Sequence, residues 1–530
     1  MVASRRVFLR LVALGGGAAV ASACSASPPS AAAPSTQSSP VAPVSAPVTA
    51  AKSTADLRIA LASEPNTFDP HLTVGRNTQI FIANVYDGLT ARDPRANLVP
   101  ALATEWKVLE DHSGWQFKLR QGVKFQNGDD FNAESVKFTL DRAINPDTKS
   151  TVSSELGTIA GTDIVDASTV TVRTKQPDIM LPSRLSELYG GMLSPAYTRA
   201  TDPASFGTKP IGTGPFKVTE WVKNERLVLE ANPTYWRGAA SVGRIVVRPI
   251  LEDAARVAAL QAGEVDFISN VPYQRADELG RDTNLLVKTV TTPRVFFVVI
   301  DPRQKPFDDV RVRQALNYAV DVDAIIKTLY LGHAKLLATV IDEASLGYDP
   351  TVAPYPYDPA KAQALLAEAG YPNGFSTEFD TFTGSIADHS KPAEAIVEYL
   401  RKVGVNAKLN VFEFGAFGPR RVANQVSPLH IYSLGNAYFE PAWALKWMMQ
   451  DNLGMHYRNA DAYAQLNKAE GTFDPEERKK LYADVQRKLK DDAGFLFLYQ
   501  SDAVFAMSKR LDYEPRADET QWLYPAKLTT

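Results

Sequence analysis

Cysteine is nearly missing from this chain. Cys24 is the only one in 530 residues, which excludes internal disulfides and any cysteine-built zinc or iron–sulfur site. An excess of one charge is missing too: 57 basic residues stand against 60 acidic ones, a formal charge of -3, which leaves no electrostatic footprint for nucleic acid. After the N-terminal apolar stretch, no later segment is long and apolar enough to span a bilayer. The six histidines are scattered, with none paired at i,i+4 and no His-Glu couple, so no zincin-type metal site is expected. No Gly-x-Ser-x-Gly elbow and no Asp-x-Asp-x-Asp-Gly calcium loop occurs. Gly212-Thr213-Gly214-Pro215 could suggest a phosphate cradle, but Pro215 removes a backbone donor, and the segment reads as a tight structural turn. The pairs Asp308-Asp309 and Glu476-Glu477 stand at helix starts, where the helix dipole accounts for them. The residues therefore assign no catalytic group, no metal ligand and no cofactor.

What is present begins with an address. Arg5 and Arg6 lie in a charged segment, and Leu11 to Ala23 is apolar and small, the layout of an export signal. The arginine pair followed by Val-Phe-Leu and Arg10 resembles a twin-arginine signal. Ala21-Ser22-Ala23 before Cys24 resembles the lipobox of bacterial lipoproteins, with alanine where leucine is usual. Cys24 is thus the expected lipidation site, and residues 1–24 the leader. Residues 25–54 are mainly Ser, Ala, Pro, Val and Thr, with too little bulky apolar surface to fold. Their prolines favour an extended tether.

Past the tether, strand and helix patterns interleave. Leu57, Ile59 and Leu61 alternate as a first strand and lead into the loop Glu64 to Thr67. Trp115, Phe117 and Leu119 alternate in the same way, and with Val123 to Phe125 they predict a hairpin. Asn132 is placed to cap a helix carrying Val136, Leu140 and Ala143. Further strands are expected at Val170–Val172, Leu227–Leu229, Ile245–Val247 and Val265–Phe267, with a helix near Ala254 to Gln261. Later helices are predicted behind Asp308, Asp358-Pro359 and Asp474-Pro475, the second ending at Gly370. Phe495 to Tyr499 reads as a buried strand. The fold class is α/β with mixed sheets.

Several segments together resemble the peptide and nickel class of periplasmic solute-binding proteins, solute-binding protein family five. They are Val85-Tyr86-Asp87-Gly88-Leu89, Leu98 to Trp106, Trp115 to Phe138, Pro210 to Phe216, Asn232 to Gly238, Pro306 to Leu316, and Tyr357-Asp358-Pro359 with Ala369-Gly370-Tyr371. The resemblance implies a two-lobed binding protein of the cluster C type. Lobe one would take 55–90, 209–292 and 499–530, an inserted subdomain 91–208, and lobe two 293–498. Two strands would cross between the lobes near Arg294 to Ile300 and Phe495 to Ser501. It also implies an extracytoplasmic subunit of an ABC importer that captures a peptide or another small organic solute and delivers it to permease subunits. The expected protein is monomeric, membrane-bound only through its lipid, and not an enzyme. The alternatives are a secreted, lipid-anchored hydrolase of oligomers and a solute-sensing receptor on the same fold.

By position in that family, the candidate ligand contacts are Glu64 and Asn66 in the first loop, Phe296 and Phe297 on a crossing strand, and Asn436, Tyr438, Phe439 and Trp443. Glu64 reads either as an exposed loop acid or as a ligand acceptor. Trp443 and Trp447 are four apart and read equally as a helical core stripe or as cleft aromatics. Peptide-binding members often carry an aspartate just before their Tyr-x-Glu-Pro segment, to hold a peptide's amino terminus. Ala437 stands there, so recognition is expected to rest more on stacking and hydrogen bonds than on a free amine.

Overall fold

A computed structural model describes residues 55–529 apart from 63, 74–77, 79–80, 187–189, 385–386, 437 and 450–453. Arg5, Arg6, Cys24 and Ala437 lie outside the described residues. In chain order the strands are β1 (Leu57–Leu61), β2 (Thr90–Arg92), β3 (Leu98–Pro100), β4 (Ala103–Val108), β5 (Gly114–Leu119), β6 (Ile159–Asp166) and β7 (Thr169–Thr174). Then follow β8 (Phe216–Val222), β9 (Arg226–Ala231), β10 (Arg244–Pro249), β11 (Phe267–Ile268), β12 (Leu285–Ile300) and β13 (Ala334–Leu336). The last are β14 (Phe375–Thr383), β15 (Val405–Glu413), β16 (Leu429–Gly435), β17 (Phe495–Ser508), β18 (Leu511–Asp512) and β19 (Lys527–Leu528). Among the described residues, eleven strands form one sheet in the order β15-β14-β16-β12-β17-β11-β1-β10-β9-β8, with β13 on β17.

Period-two patterning explains how one sheet serves several cores. On β12, Phe296, Val298 and Ile300 point to one face and join the cluster of Val312, Leu316, Ile396 and Leu429. Val295, Phe297 and Val299 point to the other and join Tyr457, Tyr482 and Val485. On β17, Phe495 and Phe497 share the second cluster and Leu496 and Leu498 the first. Farther along β17, Phe505 and Met507 enter the core of β1, β9 and β10, while Val504 and Ala506 face Val257, Leu260 and Leu279. Each long strand therefore leaves one pair of cores and enters another. The β12–β17 register shifts between Thr291 and Val295, around Thr292-Pro293-Arg294. Pro293 has no amide hydrogen for the ladder, and a break is where a strand tolerates it.

A separate four-stranded sheet, β4-β5-β7-β6, carries the helix Ala133–Ile144. Asn132 caps this helix through the amides of Glu134 and Ser135, in a reciprocal capping box with Ser135. Asp358 and Asp474 cap as expected, accepting from Lys361 N at 2.9 Å and Glu477 N at 2.7 Å. Gly370 closes the helix Pro359–Glu368 at φ +94°. The next cap falls one residue later than expected: Asp309, not Asp308, accepts from Arg311 N. The predicted hairpin is also corrected. β5 pairs with β4 and β7, while 123–125 folds onto its own loop through Phe125 N to Asp129 O and Phe131 N to Val123 O. Local alternation cannot choose between strand partners.

Candidate ligand-binding cleft

The crossing supplies the floor of the site. Arg294 projects from β12 beside the register break and donates to Glu519 from Nε at 3.1 Å and Nη2 at 2.8 Å. This two-point ion pair ties the crossing strand to the C-terminal segment, where Glu519 takes φ +61°. Arg294 Nη1 also reaches Ser433 Oγ at 3.4 Å. Ser433 in turn lies 2.9 Å from His389 Nε2, and His389 Nδ1 lies 2.8 Å from Ala387 O. A carbonyl can only accept, so the proton sits on Nδ1 and Nε2 accepts from the serine. Burial holds this imidazole near a pKa of about 3, well below its ordinary range.

One wall is the loop that follows β16. Asn436 N donates to Pro293 O at 3.1 Å, which pins the loop to the crossing. Its Nδ2 donates to Ser345 Oγ at 3.1 Å, and Ser345 donates to the buried Asp342 at 2.8 Å. Asn436 Oδ1 is buried and has no partner among the described residues, so one acceptor stays open there. Phe439 adopts φ +57°, a costly conformation for a bulky residue and one that gathers at ligand sites.

Two residues far away in the sequence, Glu155 and Arg92, grip this loop. Glu155 Oε2 accepts from Tyr438 OH at 3.1 Å and from Trp443 Nε1 at 2.8 Å. Arg92 Nη2 donates to Tyr438 O at 2.9 Å, and its guanidinium lies 5.3 Å from the centre of the Phe439 ring. Burial pushes the Glu155 carboxyl up, against the opposing pull of Arg184. A cavity of about 470 Å³ opens beside the grip, lined by Arg92, Arg95, Thr291, Thr292, Tyr438, Phe439, Glu440 and Gln500. A second cavity, of about 230 Å³, shares Arg92 and is lined by Asp87, Arg237, Arg516, Asp518 and Trp522. Apolar walls with a few convergent polar groups suit a small ligand.

The sequence profile of the bacterial extracellular solute-binding proteins, family 5 (middle region), matches residues 97–456. The chain is 32% identical over 474 residues to the glutathione-binding protein GsiB of Salmonella typhimurium, covering 86% of this chain and 91% of that one. The chain belongs to family 5. It is a two-lobed substrate-binding protein of an ABC importer. Its fold matches that of the periplasmic binding protein DppA of Helicobacter pylori in complex with the peptide STSA. The TM-score is 0.81 at 25% identity, covering 89% and 98% of the two chains. NikA of Brucella suis in complex with Fe(III)-EDTA matches with a TM-score of 0.80 at 23% identity, covering 90% and 100%; that likeness speaks for the fold alone.

Within this family 5 protein, the expected contacts divide into separate groups. Tyr438 and Phe439 line the larger cavity, with Tyr438 itself 2% exposed and packed in the core, while Asn436 and Trp443 lie beside them and outside the lining of either cavity. Phe296 and Phe297 are only 2% and 0% exposed, and their rings are packed into the two cores on either face of β12. Glu64 is no open acceptor: it receives Trp221 Nε1 at 3.2 Å and Asn224 N at 3.1 Å, holding the turn between β8 and β9. Asn66 is exposed and donates its backbone N–H to Thr78 Oγ1 at 3.1 Å. Of the two tryptophans four apart, Trp443 meets Glu155, while Trp447 and Tyr432 both pack against Arg421, each ring centre 4.7 Å from its guanidinium. Glu155, Arg92, Arg294 and Glu519 were not anticipated. Their roles depend on partners 225 to 346 positions away, and a lone charge in a sequence reads as solvated.

Proposed function

We propose that this family 5 protein captures a small organic solute where the two cavities meet at Arg92, and that its lobes close over the solute about the crossing strands. One observation carries the reading: Thr291, Thr292 and Gln500 of both crossings line the same cavity as Tyr438, Phe439 and Glu440. A solute held there would touch groups that move relative to one another, which closure requires. Phe439 and Tyr438 on the wall of that cavity offer aromatic surface, and Asn436 and Trp443 are expected to support it from behind. Relatives named for glutathione or seen with a peptide keep short peptides among the candidates, and Ala437 in place of an acid argues against dependence on a free amine. The boundaries proposed for the lobes are those of the sequence reading, as is a single-copy body lipidated at Cys24 after twin-arginine export.

Thermal-shift and solution-scattering titrations with glutathione, a tetrapeptide and its N-acetyl form test the reading. A ligand of the native state raises the melting temperature and closure lowers the radius of gyration. Should acetylation weaken peptide binding by more than about 1.5 kcal/mol, a carboxylate anchor for the amine exists and the stacking account fails. Binding with unchanged interlobe distance would remove closure as the signal. Fatty-acid labelling that persists in Cys24→Ala would remove the anchor assignment.

A further inference from the structure

Every carboxylate lining the smaller cavity already has its donors. Asp87 accepts from Thr213 Oγ1, Tyr235 OH and Trp236 Nε1, each at 3.0 Å. Asp93 accepts from Arg95 N at 2.9 Å and Asn97 Nδ2 at 3.0 Å. Asp518 accepts Arg516 through Nε at 3.1 Å and Nη2 at 2.5 Å. Two cations near them, Arg120 and Arg237, are not matched in this way. The Trp236 indole carries two guanidinium groups, Arg120 at 4.4 Å and Arg237 at 4.3 Å from its ring centre. Arg120 spends Nε on Ala101 O at 3.1 Å. Arg237, exposed to the cavity, also lies 5.7 Å from the centre of the Trp522 ring. Among the described residues neither guanidinium has an ion-pair partner, and that of Arg237 donates no hydrogen bond.

Two like charges against one indole repel each other, and burial together with the charge of Arg237 lowers the pKa of Arg120. Asp87 feels Arg237 only at a distance, because its oxygens face neutral donors. Open valence in the cavity is therefore donor valence with positive charge. A planar guanidinium fits a carboxylate or phosphate at two points, and the Trp522 ring offers a flat apolar face next to it. We propose that this cavity receives the anionic end of the solute, a compact oxyanion held by Arg237 and flanked by Trp522. The assignment deepens the solute-binding reading above and rests on it. At about 230 Å³ the cavity has room for such an end group, and the larger cavity beyond Arg92 is left for the rest of the ligand.

Tryptophan fluorescence and thermal shift on the full-length protein, titrated with glutarate, inorganic phosphate and cadaverine, test this. Glutarate or phosphate is expected to bind, the better of the two identifying the oxyanion. Arg237→Gln is expected to weaken binding about tenfold or more, the scale of one lost charge-assisted contact, with partial recovery in Arg237→Lys. Cadaverine is expected to give no response. The inference is overturned if neither anion responds up to about 10 mM, if Arg237→Gln binds as tightly as the parent, or if cadaverine binds instead. A neutral or cationic solute that closes the lobes regardless of Arg237→Gln would overturn the anion assignment and leave the receptor reading standing. Lobes that close for no solute at all would overturn the receptor reading.

Discussion

A single carboxylate shows how this site is held. Glu155 satisfies two buried donors at once, Tyr438 OH and Trp443 Nε1, so removing it strands both. Glu155→Ala is expected to cost about 1 to 3 kcal/mol in urea unfolding, and Tyr438→Phe, which strands neither donor, less than that. Equal unfolding midpoints for parent and Glu155→Ala would contradict the clamp. The buried histidines set a pH dependence. His71, His389 and His430 each fall from 6.5 to about 3, with burial as the main cause. Their folded pKa lies below the unfolded one, so the neutral form is the folded form. The stability they allow is complete above about 6.5 and is lost as the pH falls from about 6.5 toward about 3. Asp301, held at about 2 against burial by its bonds to Arg303 and Gln304, acts in the same direction at the acid end. Urea midpoints at neutral and acid pH check this, and a flat profile between about 6.5 and 4 would contradict it.

Elements with local causes were the readable ones. Helix starts at Asn132, Asp358 and Asp474 depend on a side chain reaching an amide two or three residues on, and such contacts are written in short sequence. Asn132→Ala is expected to cost about 1 kcal/mol in thermal or urea unfolding, and no loss would mean that the reciprocal bonds with Ser135 are idle. The Gly212–Pro215 turn was legible as structural, but its reason was not. A Cβ on Gly214 would sit 2.5 Å from the Val85 carbonyl carbon and 2.8 Å from Tyr86 N, which are backbone atoms and cannot rotate away. Gly214→Ala is therefore expected to destabilise by about 1 to 3 kcal/mol or more through forced backbone movement. Calorimetry showing an unchanged melting temperature would refute that packing. Strand partners were less legible, as the 123–125 segment shows, because pairing is chosen by the whole sheet.

On the scale of the whole molecule, two long strands carry the connection between lobes, and the Arg294–Glu519 pair braces it. Arg294 is 12% exposed and Glu519 17% at their side chains, so deleting the arginine removes a two-point ion-pair partner from a largely buried carboxylate. Arg294→Ala is expected to cost about 3 kcal/mol or more, and to broaden the interlobe distance distribution measured between spin labels on the two lobes. A distribution as narrow as the parent's would show that the strands alone hold the hinge. The grip of Glu155 and Arg92 on the Tyr438 loop belongs to the same scale. It joins β2 and the helix Ser153–Leu156 to the Tyr438 loop, so the proposed closure must either carry it along or break it.

Through its resemblance the sequence pointed to the family and to two strands that cross, and by itself it determined the interleaved α/β character and the helix caps at Asn132, Asp358 and Asp474. Each of these follows from spacing or from contacts within a few residues, which a linear pattern records. Tertiary structure alone decided that Glu64 braces a hairpin instead of opening to the cleft, and that Phe296 and Phe297 fill opposite cores. It also decided that Glu155 and Arg92 hold the Tyr438 loop and Arg294 the C-terminal segment, and that Arg237 lies beside a cavity without a counter-ion among the described residues. The physical reason is the same for all of them. Whether a charge or a ring is solvated, paired or buried depends on what long-range folding brings to it, and that neighbour can lie hundreds of residues away.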